Sequence, residues 1–299
     1  MIDVEYLAGK ALELRRTVLA MCVRVGAGHL STACSEAEII TALYQGGILK
    51  VDAQSPKSPD RDRFILSKGQ GGIGLYCVLA DVGFFPKAEL DNYLLKDGGL
   101  LGVHSEDNIN GVEVLTGSLG HGLPLASGIA WALRQQDNDA MTVCLTGDGE
   151  LCEGSNWEAM LTIAHQRLGH LVVIVDHNGG ATIGHLDGRD GANDGPVLEP
   201  LMDKFEAFGF ETLRIDGHNL NEVMTVFGQY INRQRPMTGR SVCIIADTVK
   251  GKGIKSFESG VIFPNHYLSL KGENLINALS DLGMDADEFK EAVGASCGY

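Results

Sequence analysis

The sequence predicts an α/β fold, with a mostly parallel, doubly wound sheet and helices on both faces. Two short apolar runs, Met141–Thr146 and Leu171–Asp176, have the composition of strands that are buried on both sides. A helical stretch separates them, and strand–helix–strand alternation is typical of parallel sheets. A third run, Ser241–Ala246, and a weaker one, Glu211–Ile215, extend the same sheet.

The predicted helices follow from apolar residues at helical spacing. The first two dozen residues form one amphipathic helix. A second is predicted from about Ser35 to Tyr44, opened by Ser35 with Glu38 three residues later, which is a capping-box pattern. Helices are also predicted at Asn156–Arg167 and Asn219–Arg233, between strands, and from about residue 269 to the end.

Composition narrows the class of protein. The 299 residues are 44% hydrophobic and 21% charged, which is ordinary for a globular protein, and with no linker or repeat we interpret 1–299 as one domain. A net charge of −15 argues against nucleic acid or an anionic membrane as a partner. Seven scattered cysteines without a CxxC pair, an acidic N-terminus and no apolar run near roughly 20 residues predict a cytoplasmic protein that does not enter a membrane.

Chemistry-bearing residues follow two predicted strands. Gly147, Asp148 and Gly149 come directly after the first strand, and Asn178 follows the next strand. Ligands of parallel sheets bind beyond the carboxyl ends of the strands. Mg²⁺ prefers carboxylate and neutral oxygens, and a helix N-terminus favours a diphosphate. Either tripeptide alone is more often a turn, but their joint placement favours a metal and diphosphate site.

The pair resembles the thiamine-diphosphate fingerprint, a GDG followed about 30 residues later by Asn. Three further segments resemble, in order, motifs of the N-terminal half of transketolases: Gly28–Ser31, Asp62–Gly69, and His104 with Gly111–Gly120. The resemblance covers nearly the whole chain. It implies the diphosphate-binding domain of the thiamine-diphosphate-binding fold, with thiamine diphosphate and Mg²⁺, or another divalent ion such as Ca²⁺ or Mn²⁺, as cofactors.

The resemblance also implies roles for individual residues. The metal ligands would be Asp148, Asn178 and the backbone carbonyl of Gly180. The donor substrate's hydroxyl and carbonyl oxygens would contact His29 and His104, and His266 would lie near the diphosphate. The expected cofactor contacts are Gln70, Gly117, Leu119, Gly147, Asp148, Gly149 and Asn178.

One position departs from the family pattern. The family has histidine directly after its SxG motif, where this chain has Gln70. Glutamine donates and accepts hydrogen bonds but cannot become an imidazolium. We therefore expect cofactor anchoring through the metal to be retained, while the donor substrate or its handling differs.

The chain ends at about the point where the first transketolase domain ends. The resemblance therefore implies a separate partner chain that carries the pyrimidine-binding and C-terminal domains. The expected assembly is a heterotetramer, with each active site between unlike subunits. The expected activity is that of a transketolase-type transferase, which moves a two-carbon ketol unit from a ketose donor, expected to be phosphorylated, to an aldose acceptor.

Three alternatives remain open at this point. The α subunit of a 2-oxo-acid or acetoin dehydrogenase shares the GDG…Asn site, although the GHLS and DRFILSKG segments favour transketolase. A nicotinamide dehydrogenase would use the GxGxxG match at Gly69–Gly74, but the apolar run before it, Phe64–Leu66, is short and follows charged residues, unlike a buried first Rossmann strand. The third alternative is a binding or regulatory subunit without catalytic activity.

Overall fold

The computed structural model describes residues 3–94, 101–181, 184–186, 198–232, 239–258 and 270–293. Its strands are β1 Arg63–Leu66, β2 Thr142–Gly147, β3 Leu171–His177, β4 Gly180–Ala181, β5 Gly184–His185, β6 Glu211–Asp216 and β7 Val242–Asp247. Its helices are α1 Val4–Val25, α2 Leu30–Ser35, α3 Ala37–Tyr44, α4 Gly72–Asp81, α5 Gly122–Gln135, α6 Gly154–Gln166, α7 Leu201–Ala207, α8 Leu220–Tyr230, α9 Lys255–Glu258, α10 Gly272–Asp281 and α11 Ala286–Val293.

Five strands form the main sheet in the order β1-β2-β3-β7-β6, and every neighbouring pair is parallel. The short strands β4 and β5 form a separate antiparallel hairpin after β3. Gly147 pairs with Asp176, and Asp176 pairs with Ala246, so the carboxyl ends of β2, β3 and β7 lie level with one another. The predicted α/β class, with a mostly parallel sheet, is confirmed.

Helices cover both faces of this sheet. Cys144, Val173 and Ile245 belong to one hydrophobic core, which includes residues of α5, α6 and α7. Their neighbours Val143 and Ile174 belong to a second core, which includes residues of α1, α3, α4, α8, α10 and α11. Successive strand residues point to opposite faces, and each fully buried aliphatic side chain contributes about 1.5–3 kcal/mol. Burial on both sides explains why β2 and β3 read as continuous apolar runs.

The first helix shows how the sequence sets its own limits. Asp3 caps α1 by accepting a hydrogen bond from the Glu5 backbone N–H at 3.0 Å. Gly26 ends it with a φ of 76°, a left-handed conformation that favours glycine, and its N–H bonds to the Cys22 carbonyl at 2.8 Å.

Within the described ranges, no helix combines the length and apolarity needed to cross a bilayer.

The predicted capping box at Ser35 is wrong. Ser35 is the last residue of α2, and α3 begins after Glu36, which makes no side-chain capping bond. The Ser35 hydroxyl instead donates to Asp176 Oδ2 at 2.6 Å. The Ser35 hydroxyl therefore bonds to a buried carboxylate at the end of β3, and does not cap a helix as the local pattern predicted.

The run at Phe64–Leu66 forms a further strand that the sequence analysis did not include in the sheet. Arg63–Leu66 is a buried strand, β1, which pairs with β2 at the edge of the sheet. The charge of Arg63 does not prevent this, because its long side chain carries the guanidinium back to the Pro59 carbonyl at 3.0 Å.

Candidate active site

A pocket of about 230 Å³ lies at the carboxyl edge of the sheet. It is formed by the segments that follow β1, β2, β3 and β7, together with α2 and the loop before α5. Of the expected cofactor residues, all but Gly117 line it, and so does Gly180. The structure therefore brings the residues of the GDG…Asn pattern together in one cavity.

Asp148 is the buried carboxylate of this pocket, with 1% of its surface exposed. Its Oδ1 accepts the Gly149 N–H at 2.7 Å and its Oδ2 accepts the Gly179 N–H at 2.6 Å. Burial, helped by the nearby charge of Asp176, raises the pKa of Asp148 to about 6. Each carboxylate oxygen keeps a further lone pair after these bonds.

Asn178 and Gly180, the other two expected metal ligands, also line the pocket. Asn178 Oδ1 accepts the Gly180 N–H at 3.1 Å, while its Nδ2 donates to Asp176 Oδ2 at 3.3 Å. In the described part of the chain, no group of three or more His, Cys, Asp or Glu residues is arranged to hold a metal. One carboxylate, one amide oxygen and one backbone carbonyl suit a hard cation such as Mg²⁺, whose remaining ligands are phosphate and water.

His29 and His104 lie side by side, with ring centroids 6.1 Å apart and ring planes inclined by 30°. Gly117 makes this possible: its φ is +133°, and a Cβ there would lie 2.5 Å from His104 Cγ. His29 is 9% exposed, and neither histidine lines the pocket itself. The third expected catalytic residue, His266, lies outside the described residues.

Gln70 lines the pocket and contacts the loop that carries Gly117. Its Nε2 donates to the Gly117 carbonyl at 3.1 Å, which fixes the orientation of the amide. Its Oε1 is buried and has no hydrogen-bond partner among the described residues. Because His104 packs against Gly117, Gln70 connects the pocket with the histidine pair.

The glycine-rich segment 69–74 packs against protein, and does not form an open loop. A Cβ on Gly69 would lie 2.6 Å from the backbone of Thr116 and Gly117, and one on Gly72 would lie 2.8 Å from the Ser105 nitrogen. The GxGxxG match follows a real strand, but its backbone is covered. The nicotinamide alternative is therefore not favoured, because these glycines are close-packed against neighbouring backbone.

A buried charged cluster lies beneath the pocket, and the sequence analysis missed it. Lys68 Nζ lies 2.8 Å from Glu36 Oε2 and also contacts Asp176 Oδ2. Asp176 accepts hydrogen bonds from Ser35 and Thr248 as well. Lys68 follows β1 as Asp148 follows β2, so inspecting the end of every strand would have identified it.

Lys250 is a second residue that the sequence analysis missed. It follows β7, lines the pocket, and places Nζ 3.4 Å from the Gly180 carbonyl. Burial lowers the pKa of Lys250, partly against the charge of Asp148. No salt bridge reaches its ammonium from the residues that the structure describes. A cation of this kind, beside the proposed metal ligands, suits a phosphate oxygen.

Glu150 holds the loops around the pocket in place. It is 2% exposed and accepts the Ser67 hydroxyl at 2.6 Å, the Gly120 N–H at 2.9 Å and the Gly147 N–H at 3.3 Å. One carboxylate thereby fastens the ends of β1 and β2 to the loop that carries Leu119.

The chain matches known proteins over almost its full length. Residues 10–293 match the family described as transketolase, thiamine diphosphate binding domain. An apulose-4-phosphate transketolase subunit of Actinobacillus succinogenes is 36% identical over 282 residues, which cover 94% of this chain and 97% of that one. A 6-deoxy-6-sulfo-D-fructose transketolase subunit of Clostridium sp. is 35% identical, with coverages of 94% and 96%.

Longer relatives match only in part. Human transketolase is 37% identical over 260 residues, which are 85% of this chain and 39% of that protein. The transketolase structure from Campylobacter jejuni superimposes with a TM-score of 0.82 at 26% identity, covering 99% of this chain and 46% of that one. This chain thus spans less than half of the solved transketolase that it matches. Family match, identity and fold agree, and the chain belongs to the transketolase family, of which it carries the thiamine-diphosphate-binding domain.

Proposed function

We propose that this chain binds thiamine diphosphate and a divalent ion, Mg²⁺ in the first place, as one subunit of a two-chain transketolase. The complete enzyme would transfer a two-carbon ketol unit from a phosphorylated ketose to an aldose. The observation that carries the proposal is that Asp148, Asn178, Gly180 and Lys250 line one pocket in a chain of this family. The alternative of a dehydrogenase α subunit is not favoured, because the relatives are transketolases.

Because the chain has a net charge of −15, the anionic diphosphate must be held by local groups and not by the overall charge of the protein. Asp148, Asn178 Oδ1 and the Gly180 carbonyl would hold the divalent ion. Lys250 would neutralise a phosphate oxygen beside it. Leu119, half-buried at the pocket wall, would pack against the apolar part of the cofactor.

When bound, thiamine diphosphate supplies a nucleophilic carbon and stabilises the electron pair of the C–C bond that is broken. His29 and His104 would bind the oxygens of the ketose and exchange protons with its hydroxyl group. The two rings lie 6.1 Å apart and inclined by 30°, which supports a shared role on one side of the substrate. Tyr76 and Gly117 fix His104 from two directions, the tyrosine by a hydrogen bond to its carbonyl and the glycine by close packing.

We also propose that the pyrimidine-binding and C-terminal domains lie on a partner chain, in a heterotetramer. Two arguments support this. The relatives of equal length are named as subunits, and the solved transketolase that this chain matches in fold is more than twice as long. The pocket would bind the diphosphate end of the cofactor, and the partner would bind the pyrimidine ring.

The test combines this chain with a candidate partner, thiamine diphosphate and Mg²⁺, and screens ketose donors. We expect Asp148→Ala to abolish Mg²⁺-dependent cofactor binding, measured by calorimetry, because it removes the one carboxylate of the donor set. We expect His104→Ala to retain cofactor binding and to lower kcat by about 10²–10⁴-fold. Full activity in both variants would show that the site is assigned wrongly.

The position of Gln70 provides a test of donor specificity. Gln70→His restores an imidazole beside the Gly117 carbonyl, where the amide now donates. We expect the ratio of kcat/KM between ketose donors to change, while the affinity for Mg²⁺ and thiamine diphosphate stays within about threefold, because the metal ligands are untouched. Equal ratios across donors would exclude a role in specificity.

A further inference from the structure

Glu36 has an unusual environment for a buried carboxylate. None of its surface is exposed, and the charged group that contacts it among the described residues is Lys68 Nζ, 2.8 Å from Oε2. Neither carboxylate oxygen accepts a hydrogen bond of good geometry from any described residue. Buried carboxylates normally accept hydrogen bonds from several donors. The charge of ionised Glu36 therefore depends on Lys68, and any change around Lys68 alters the pKa of Glu36.

Lys68 is shared with a better-partnered acid. Its ammonium also contacts Asp176, which accepts hydrogen bonds from Ser35, Thr248 and Asn178 in addition. Although burial opposes its charge, these contacts lower the pKa of Asp176. Burial raises the pKa of Glu36 to about 7 in spite of Lys68. One ammonium thus serves two carboxylates, and Glu36 is the one whose pKa lies near neutral pH.

The surrounding chain is shaped to hold a carboxyl group at this place. A Cβ on Gly71 would lie 2.3 Å from Glu36 Oε1, and one on Gly74 would lie 3.2 Å from the same atom. The glycines of the segment before and at the start of α4 therefore leave room for Glu36. Lys68, after β1, and Asp176, at the end of β3, are the charged groups that act on Glu36, and the α4 side contributes glycines.

Lys68 also lines the pocket that we assign to the cofactor, together with Lys250. A diphosphate bound there places negative charge beside the ammonium that stabilises ionised Glu36. We propose that anion binding in this pocket is coupled to proton uptake by Glu36, so that the charge beneath the pocket changes little when the diphosphate arrives. The inference rests on the proposed function, since it concerns the same pocket.

The proton is taken from solvent, and it neutralises a carboxylate to a carboxylic acid without any other bond change. Protonated Glu36 leaves Lys68 to Asp176 and to the bound anion. Neutral Glu36 also supplies an O–H donor in place of a second unsatisfied negative oxygen. Reciprocity requires that the anion binds more tightly when Glu36 is already protonated.

The test uses the full chain with Mg²⁺ and inorganic pyrophosphate as the probe. Titration calorimetry in buffers of different ionisation enthalpy measures proton uptake for wild type and for Glu36→Gln, which mimics the protonated form. We expect more uptake in wild type near pH 7. Relative to the variant, we expect the wild-type Kd to weaken by about fivefold or more from about pH 6 to about pH 8. Glu13→Gln, at an exposed position with the same charge change, should behave as wild type.

Subtracting the variant removes the protons that pyrophosphate itself exchanges. Equal proton uptake and parallel pH profiles for wild type and Glu36→Gln would overturn the coupling, while the proposed cofactor site would stand. Failure of wild type to bind Mg²⁺–pyrophosphate at all would overturn both. If the Glu36→Gln variant does not fold, a measurement on wild type alone still tests the inference. An infrared difference spectrum on pyrophosphate addition should gain the C=O stretch of a protonated carboxyl group, and its absence would refute the inference.

Discussion

Two glutamates at the start of α3 are two residues apart, and they differ in their partners. Glu38 is 8% exposed and forms a two-pronged salt bridge with Arg15, with Nη1–Oε1 and Nη2–Oε2 distances of 2.7 Å. His218 Nδ1 adds a third contact at 2.8 Å. Glu36 is more deeply buried, and Lys68 is its one salt-bridge partner among the described residues.

Burial favours the neutral form of both glutamates, and their partners decide whether the pKa of each is lowered or raised. Against burial, hydrogen bonds from His218 and Arg15 lower the pKa of Glu38 to about 2. Lys68 is shared with Asp176, and burial raises the pKa of Glu36 to about 7. A planar guanidinium matches a carboxylate along two parallel bonds, whereas an ammonium is a point charge that several acids can divide. The difference makes Glu38 a structural anchor and Glu36 a site of proton exchange.

The Glu38 network also positions the pocket. His218 Nε2 accepts the Val249 N–H at 2.8 Å, so Nδ1 carries the proton that reaches Glu38. Val249 directly precedes Lys250. One chain of hydrogen bonds thus runs from α1, through α3, to the loop that presents the pocket lysine.

The largest predicted effect comes from breaking the salt bridge of Glu38, the glutamate with more partners. Glu38→Gln removes the charge that Arg15 needs, and breaking a buried ion pair in this way costs about 3–5 kcal/mol. Glu36→Gln, a substitution of equal size and charge, should not lower the free energy of unfolding at about pH 8, because it relieves an under-satisfied carboxylate. Urea unfolding of the two variants and wild type measures both values. An equal loss in the two variants would contradict the distinction between the two sites.

The second prediction concerns pH, where the two glutamates act in opposite directions. The ordinary Glu pKa in an unfolded chain is roughly 4.3. For Glu36, the folded state binds more protons between roughly pH 4.3 and about 7, so its contribution to stability falls as pH rises through that window, by on the order of 3 kcal/mol. For Glu38, the unfolded state binds more protons below roughly pH 4.3, so its stabilisation is lost as pH falls towards about 2.

The measurement is the free energy of unfolding across pH for wild type and Glu36→Gln. The difference, wild type minus variant, should decline from about pH 4 to about pH 7 and then stay level. A flat difference would show that Glu36 titrates as an ordinary exposed carboxyl group.

The comparison also explains what the sequence could predict. Periodicity and apolar runs located α1 and the strands β2, β3, β6 and β7, because these elements depend on local pattern and burial. The GDG and Asn178 positions followed from the strand-end rule, and the structure brings them into one pocket. Their roles as metal and cofactor ligands, like those of His29 and His104, remain proposals.

Long-range pairing caused the failures. The Ser35 hydroxyl bonds to Asp176, 141 residues away, and no local pattern of helix starts reveals such a partner. Lys68 and Glu36 are 32 positions apart in sequence and meet only because β1 and α2 converge on the end of β3. The glycines at 69–74 matched a ligand-binding motif, but their reason is the space required by neighbouring side chains and backbone.

The smallest predicted effect tests that reason at Gly71. Its φ is −75°, an ordinary value, and the atoms nearest to an added Cβ are the Glu36 carboxylate oxygens, at 2.3 and 2.5 Å. We expect Gly71→Ala to lower the free energy of unfolding by about 1–3 kcal/mol, as overpacking of a core does. In a Glu36→Ala background the same change should be neutral or should stabilise by up to about 1 kcal/mol, because alanine restricts the unfolded chain.

Gly9, in the second turn of α1, is the matched control, since nothing lies within 4 Å of a Cβ at that position. Gly9→Ala should stabilise by about 0.5–1 kcal/mol in either background, because only the helix propensity changes. Urea unfolding of wild type, Gly71→Ala, Glu36→Ala and the double variant gives the coupling energy between positions 36 and 71. A coupling near zero would mean that Gly71 is required for another reason, and that the space around Glu36 is not shaped for its carboxyl group.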